Sequence, residues 1–269
     1  MTADRLYLYG IAIAEPDDLG TGIAGAPLRA VTGVEGMTAV VHEHDGGPFQ
    51  GADADVERWV VEHSTVVERV WRSVGTVLPA SFNVIVAPTV QVTARQRLLD
   101  WLTSHADPLR ARLAALQGRV ELRVEIGLDN HLVAENHPEV VAARSELEGR
   151  SPGVQRLLRK RLDHLERDIT AATARDRYAD YLQRLEGASE DLDENLRARP
   201  EPGTALVLSV SLLVPADAVD DVGLVLAAVQ DEEPAARIRF LGPWPPYSFA
   251  DVLGLSPLLA GDSGDDQAG

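Results

Sequence analysis

Hydrophobic and polar positions alternate along this chain with two distinct periods. Leu6–Ile13 is a nearly unbroken apolar run, the pattern of a buried strand, and a loop rich in Pro, Asp and Gly follows it from Glu15 to Pro27. Leu28–Thr32 and Met37–His42 read as short strands separated by Gly33 and Gly36. After a second Gly-rich loop, Val56, Val60, His63, Val67, Val70 and Val74 recur at gaps of four and three, which is one face of an amphipathic helix. Leu78–Val86 returns to strand character, so a compact β-rich unit holding one long helix is expected over residues 1–86.

A second helix is expected through Leu98, Leu102, Leu109, Leu113 and Leu116, ending near Gly118. Val120, Leu122, Val124 and Ile126 alternate with Glu121, Arg123 and Glu125 in a half-buried strand pattern. From His137 to Arg199 the chain reads as helical and highly charged, its main helix opening at Ser151-Pro152. The narrow stripe Val154, Leu157, Leu158, Leu162, Leu165 and Ile169 predicts a helix that protrudes or pairs with a neighbour. Ala205–Val214, Asp217–Val229 and Ile238–Leu241 then predict strand, helix and strand. The expected class is therefore α+β with two domains. Residues 87–249 would form a ferredoxin-like, split βαβ domain whose first strand is Leu78–Val86, with a long helical insertion at about 137–200. Residues 250–269 form a tail, small and acidic from Gly261, with its end expected to be disordered.

Composition narrows the chemistry. In the 269 residues, 25 basic side chains stand against 42 acidic ones, a net charge of −17 that favours solubility and argues against a general nucleic-acid or anionic-membrane surface. The absence of cysteine excludes disulfides, thiolate catalysis and cysteine-ligated metals, and fits a reducing, cytoplasmic setting. The apolar start lacks a positive leader and contains Tyr7, Tyr9 and Gly10, so it reads as a strand rather than a signal peptide. Ala205–Val214, the longest other apolar run, is half the length of a membrane span.

Few motifs carry chemistry. Gly20, Gly22 and Gly25 match the G-x-G-x-x-G spacing, but a loop precedes them and Ala26-Pro27 leads into a strand, so a turn is expected rather than a phosphate cradle. His42 and His44 share one side of a strand and could reach a metal with His63. The alternative is an edge strand with exposed histidines and a packed His63, and no carboxylate spacing supports a metal site. The cations Arg156, Arg159, Lys160, Arg161 and Arg167 are interleaved with acids and read as a solvated helix face. No catalytic constellation, metal or cofactor is expected.

Gly242–Phe249 differs from the rest of the chain. Phe240, Trp244, Tyr247 and Phe249 lie within ten residues, and Pro243, Pro245 and Pro246 stiffen the path between them. Such a segment loses little entropy on docking, and it serves either as an intramolecular latch or as a partner motif; Pro243–Pro246 also satisfies P-x-x-P. Trp244, Pro245, Pro246, Tyr247 and Phe249 are thus the candidate interdomain or partner contacts. The latch reading expects Trp244 to be largely buried.

Leu241-Gly-Pro-Trp-Pro-Pro-Tyr-Ser-Phe249, following a strand–helix–strand unit, resembles the C-terminal signature of the GvpL/GvpF gas vesicle family. Leu6-Tyr-Leu-Tyr-Gly-Ile11 is similar to the family's opening strand, and Ser209–Pro215 to its Ala-Phe-Leu-Val-Pro stretch. Ser151-Pro-Gly153 before a charged helix fits as well. Val77-Leu-Pro-Ala-Ser-Phe82 fits with departures: Ser81 stands where the family pattern has arginine and Asn83 where it has glycine. The resemblance implies a non-enzymatic, minor structural or accessory protein of gas vesicles. Its implied partners are the hydrophobic shell protein and other vesicle proteins, and its implied location the cytoplasm and the vesicle. A different class stays open on sequence alone: a small-ligand-binding or enzymatic α+β protein, since such folds host many activities.

Overall fold

The structure is a computed structural model that describes residues 5–16, 18–147 and 150–250. The acidic chain end from Gly261 lies outside the described residues. The chain divides into two compact units: Met1–Arg119 together with the stretch from Trp244 onward, and Val120–Pro243.

In the first unit the elements are β1 (Arg5–Ala12), β2 (Leu28–Thr32), β3 (Thr38–His44), α1 (Asp53–Val74), β4 (Leu78–Pro79), β5 (Ile85–Val86), α2 (Ala94–Ser104) and α3 (Ala106–Leu116). The sheet runs β2-β3-β1-β4, and β5 also pairs with β1. Every pairing is antiparallel. β1 is interior, which accounts for its unbroken apolar run. Tyr7 and Tyr9 pack in a core with Val66, Val67 and Val70 of α1, and α2 packs against β1, β2 and β5. A bulge interrupts β1: Leu8 is opposite Val41 and Gly10 opposite Val40, so Tyr9 is the extra residue. Gly10 lets β4 close in, because a Cβ there would lie 2.9 Å from the Leu78 carbonyl oxygen. Asp53 and Asp55 complement the positive end of α1, and Gly75 ends the helix in the left-handed region at φ 79°.

Three expectations change here. The boundary moves from 86/87 to 119/120, because α2 packs on the first sheet. Leu78–Val86 is two separate two-residue strands that complete that same sheet on β1, so it is not the first strand of the second unit. The single helix expected through Leu98 and Leu116 breaks at His105. Pro108 is the cause: its ring excludes the carbonyl of Ser104 from a continuous helix, and it fits only within the first turn of a new one.

The second unit contains β6 (Arg119–Asp129), α4 (Asn130–Ala134), α5 (Pro138–Ser145), α6 (Pro152–Gly187), β7 (Asp191–Glu194), β8 (Thr204–Pro215), α7 (Val219–Glu232) and β9 (Ala236–Trp244). Its sheet order is β7-β8-β6-β9. β6 runs antiparallel to both neighbours. Glu121 meets Ser211 at 3.0 Å on β8, and Gly127 lies beside Ala205. On β9, Arg237 reaches Asp129 and Arg239 reaches Glu125, each at 2.9 Å. Glu121 departs from the alternation: it is buried and accepts a hydrogen bond from the Ser211 hydroxyl.

The span from His137 to Arg199 is not helical throughout, because Asp191–Glu194 pairs with β8 as an edge strand. α6 pairs rather than protrudes. Leu162 joins Ala134 and Val140 in a small core, and Tyr181 and Leu185 are buried farther along; Val154 and Leu157 at its start are exposed. Ser151 occupies the N-cap position with Pro152 behind it, although the serine hydroxyl makes no capping bond. No helix among the described residues is long and apolar enough to cross a membrane.

Candidate functional site

The densest polar chemistry in the first unit is buried between β1, β3 and α1. The alternation of β1 aims Tyr7 and Tyr9 at α1, where the helical stripe presents His63, while β3 brings His42 alongside. The four rings are cross-connected. Tyr7 Oη lies 3.0 Å from His63 Nδ1 and stacks its ring on His42, with centroids 5.0 Å apart. Tyr9 Oη lies 2.9 Å from His42 Nδ1 and stacks on His63, with centroids 5.2 Å apart. Each tyrosine therefore bonds one histidine and stacks on the other.

Donor accounting fixes the protons. His63 Nε2 faces the Ala80 carbonyl at 3.0 Å, so it carries the hydrogen and Nδ1 accepts from Tyr7. Tyr7 Oη in turn accepts the Asn83 amide, and Tyr9 Oη accepts the Ile23 amide at 2.8 Å while sharing a hydrogen bond with His42 Nδ1. Burial holds His42 near a pKa of about 4, helped by His44. Burial does the same for His63, against the opposing effect of its bond to Ala80, and its pKa is also about 4. Burial raises both phenols, Tyr9 to about 12. All four rings are neutral at pH 7. Both nitrogens of His63 are engaged within the fold, and among the described residues no three potential ligands converge as a metal group. The expected edge strand with exposed histidines is corrected: β3 lies between β2 and β1, and His42 is buried.

The glycine-spaced loop serves this cluster. Gly22 passes so close to Tyr9 that an added Cβ would lie 2.2 Å from the phenolic oxygen. Arg69 of α1 holds the Leu19 carbonyl at 2.7 Å, and Glu62 accepts the Ala24 amide at 2.8 Å. Ile23–Gly25 forms a single tight 3-10 turn, with Ala24 in the left-handed region, and leads to β2 rather than into an α-helix, so the turn reading stands. The sequence signal for the cluster was the pair of aromatics in β1 and a histidine on the α1 stripe. Their mutual geometry needed the fold.

The aromatic–proline segment splits into two kinds of residue. Pro245, Pro246 and Phe249 are buried, Phe249 at 4% exposure. Trp244 and Tyr247 are 36% and 39% exposed, and Phe240 and Leu241 just before them are similarly accessible. The expectation of a largely buried Trp244 is therefore not met. Trp244 ends β9, the terminal strand of its sheet, where one flank of each side chain has no neighbouring strand. The arginine-rich face of α6 is exposed from Arg156 to Arg161.

A family model described as "Gas vesicle synthesis protein GvpL/GvpF" matches residues 5–251. The chain belongs to this family. It is 26% identical over 264 residues to gas vesicle protein L1 of Halobacterium salinarum, covering 92% of this chain and 91% of that protein. Gas vesicle protein L2 of the same organism is 29% identical over 247 residues, covering 86% and 84%. The crystal structure of gas vesicle protein GvpF from Microcystis aeruginosa is similar in fold, with a TM-score of 0.63 at 19% identity, covering 93% of this chain and all of that one. Asn83 has a φ of 71°, in the left-handed region that glycine favours and asparagine tolerates. Its side chain also bonds both the amide and the carbonyl of Phe49.

Proposed function

We propose that this chain is a minor structural or accessory protein of gas vesicles. It acts in vesicle assembly, without catalysis, through contacts with the shell protein and other vesicle proteins in the cytoplasm. The observation that carries this reading is the family match over residues 5–251, nearly the whole chain, alongside relatives of similar length named as gas vesicle proteins. The aromatic–proline segment supports it. Buried Pro245, Pro246 and Phe249 anchor a stiff stretch, while Trp244 and Tyr247 offer large, low-entropy side chains to a partner. In the same reading the second unit is a ferredoxin-like split βαβ. The order β7-β8-β6-β9, with α4–α6 joining β6 to β7 and α7 joining β8 to β9, supports it.

The test is deletion of the gene in a vesicle-forming host, with electron microscopy and fractionation of purified vesicles probed for the chain. Loss or deformation of vesicles on deletion, restored by the wild-type gene, is the expected outcome. Normal vesicles in the deletion strain, with the chain absent from every vesicle fraction, would remove the proposal.

A further inference from the structure

We propose that the first unit carries a docking pocket for an acidic peptide segment of a partner protein; this rests on the reading that the chain works through protein contacts. The pocket lies on the sheet face opposite α1, beside the first turn of α2, and has a volume of about 390 Å³. That is at the small end of ligand sites, about 300–1,000 Å³, and suits a short segment rather than a folded element. Val31 of β2 and Val41 of β3 lie beneath it, each only 1% exposed, and Pro88 stands half-buried at its side. Arg5, Arg29 and Arg95 rim it, with Glu43 as the one carboxylate among its lining residues.

The charges do not cancel. Arg29 and Glu43 neutralise each other across the β2–β3 pair at 2.9 Å. Arg5 gives its Nη1 hydrogen bond to the Gly46 carbonyl at 2.9 Å, a neutral acceptor that leaves the cation uncompensated. The Arg95 guanidinium has no hydrogen bond or ion pair with any described residue. It sits in the first turn of α2, against the positive end of the helix dipole, an arrangement that an anion would relieve. In a chain of net charge −17, two arginines without a carboxylate partner among the described residues share one cavity.

The occupant's chemistry follows from the whole rim. Arg5 and Arg95 favour an anionic group, and the closed valine layer beneath them leaves room only for a segment lying across the rim. Glu43 has acceptor capacity beyond its bond to Arg29, and a peptide, unlike phosphate, presents backbone N–H groups beside its carboxylate that can donate to it. β2, which supplies Arg29 and Val31, is the terminal strand of its sheet, a setting suited to an extended segment.

The test uses the full chain and fluorescence anisotropy with a short labelled peptide alternating aspartate and leucine. Its lysine-for-aspartate counterpart and inorganic phosphate serve as comparison probes. Binding of the acidic peptide alone is expected, weakened by salt and reduced about tenfold or more by Arg5→Ala with Arg95→Ala. Arg95→Glu, at an exposed position, should abolish binding with an unchanged melting curve, while Arg72→Ala on α1 should leave it intact. Equal affinity in the double variant, no binding by the wild-type chain, or a site that takes phosphate and not the peptide would each overturn the proposal. The two readings fail separately. A chain present on vesicles that ignores the peptide removes only the pocket; arginine-dependent peptide binding by a chain absent from vesicles removes only the vesicle role.

Discussion

Acidification should destabilise the first unit before its carboxylates titrate. In the folded state His42 and His63 stay neutral down to a pKa of about 4, against 6.5 when exposed. As the pH falls through 6.5 the unfolded chain takes up these protons and the folded chain does not, so stability is lost over the window from 6.5 to 4 and is flat above it. The linkage amounts to roughly 1.4 kcal/mol per histidine at pH 5.5 and about 3 kcal/mol by pH 4. For the pair, the loss between pH 7 and pH 5.5 is about 2.5 kcal/mol, a large part of the 5–15 kcal/mol typical of a domain. Urea denaturation at half-unit pH steps, followed by resolved NMR signals of β1, measures it. Ring carbon shifts report the two histidines directly. The double variant His42→Asn, His63→Gln should be less stable at pH 7 yet nearly flat down to pH 5.5. The reasoning is refuted if the variant shows the wild-type slope, or if either ring titrates near 6.5 in the folded protein.

Other outcomes follow from the same geometry. Tyr7→Phe removes the donor to His63 Nδ1 and the acceptor of the Asn83 amide, and should lower stability by about 1–3 kcal/mol in denaturant melts. Gly22→Ala drives a methyl into the Tyr9 hydroxyl and should cost about 1–3 kcal/mol, while Gly47→Ala, which meets nothing within 4 Å, should be close to neutral in the same assay. Phe249→Ala should cost about 3–5 kcal/mol of stability. Trp244→Ala, at a partly exposed side chain, should cost clearly less but weaken capture of the shell protein in a pull-down; unchanged capture would show that the exposed face of the segment is not a contact surface.

Much of the local structure was legible because it depends on neighbours in sequence. The 3.6-residue period marked the buried side of α1, where His63, Val67 and Val70 are buried as their spacing requires, although Val60 on the same stripe is 38% exposed. The uninterrupted run from Leu6 marked a strand covered on both faces, and the Pro-Trp-Pro-Pro stretch marked a segment unlike any other. What remained depends on pairings that no short window contains. Asp191–Glu194 is four polar-rich residues with one leucine, and it is a strand only because β8 supplies hydrogen-bond partners. Leu78–Val86 has the same strand character whichever sheet it joins; its place beside β1 is set by the close approach that Gly10 permits and by the bonds from Ala80 and Asn83 to the buried rings. Trp244 is apolar enough for either a core or a surface, and its position at the end of a terminal strand, rather than its chemistry, leaves it accessible. The sharpest case is the tyrosine–histidine cluster. Residues 7, 9, 42 and 63 come from two strands and a helix, and their neutral state at pH 7 follows from burial that exists only once those elements pack.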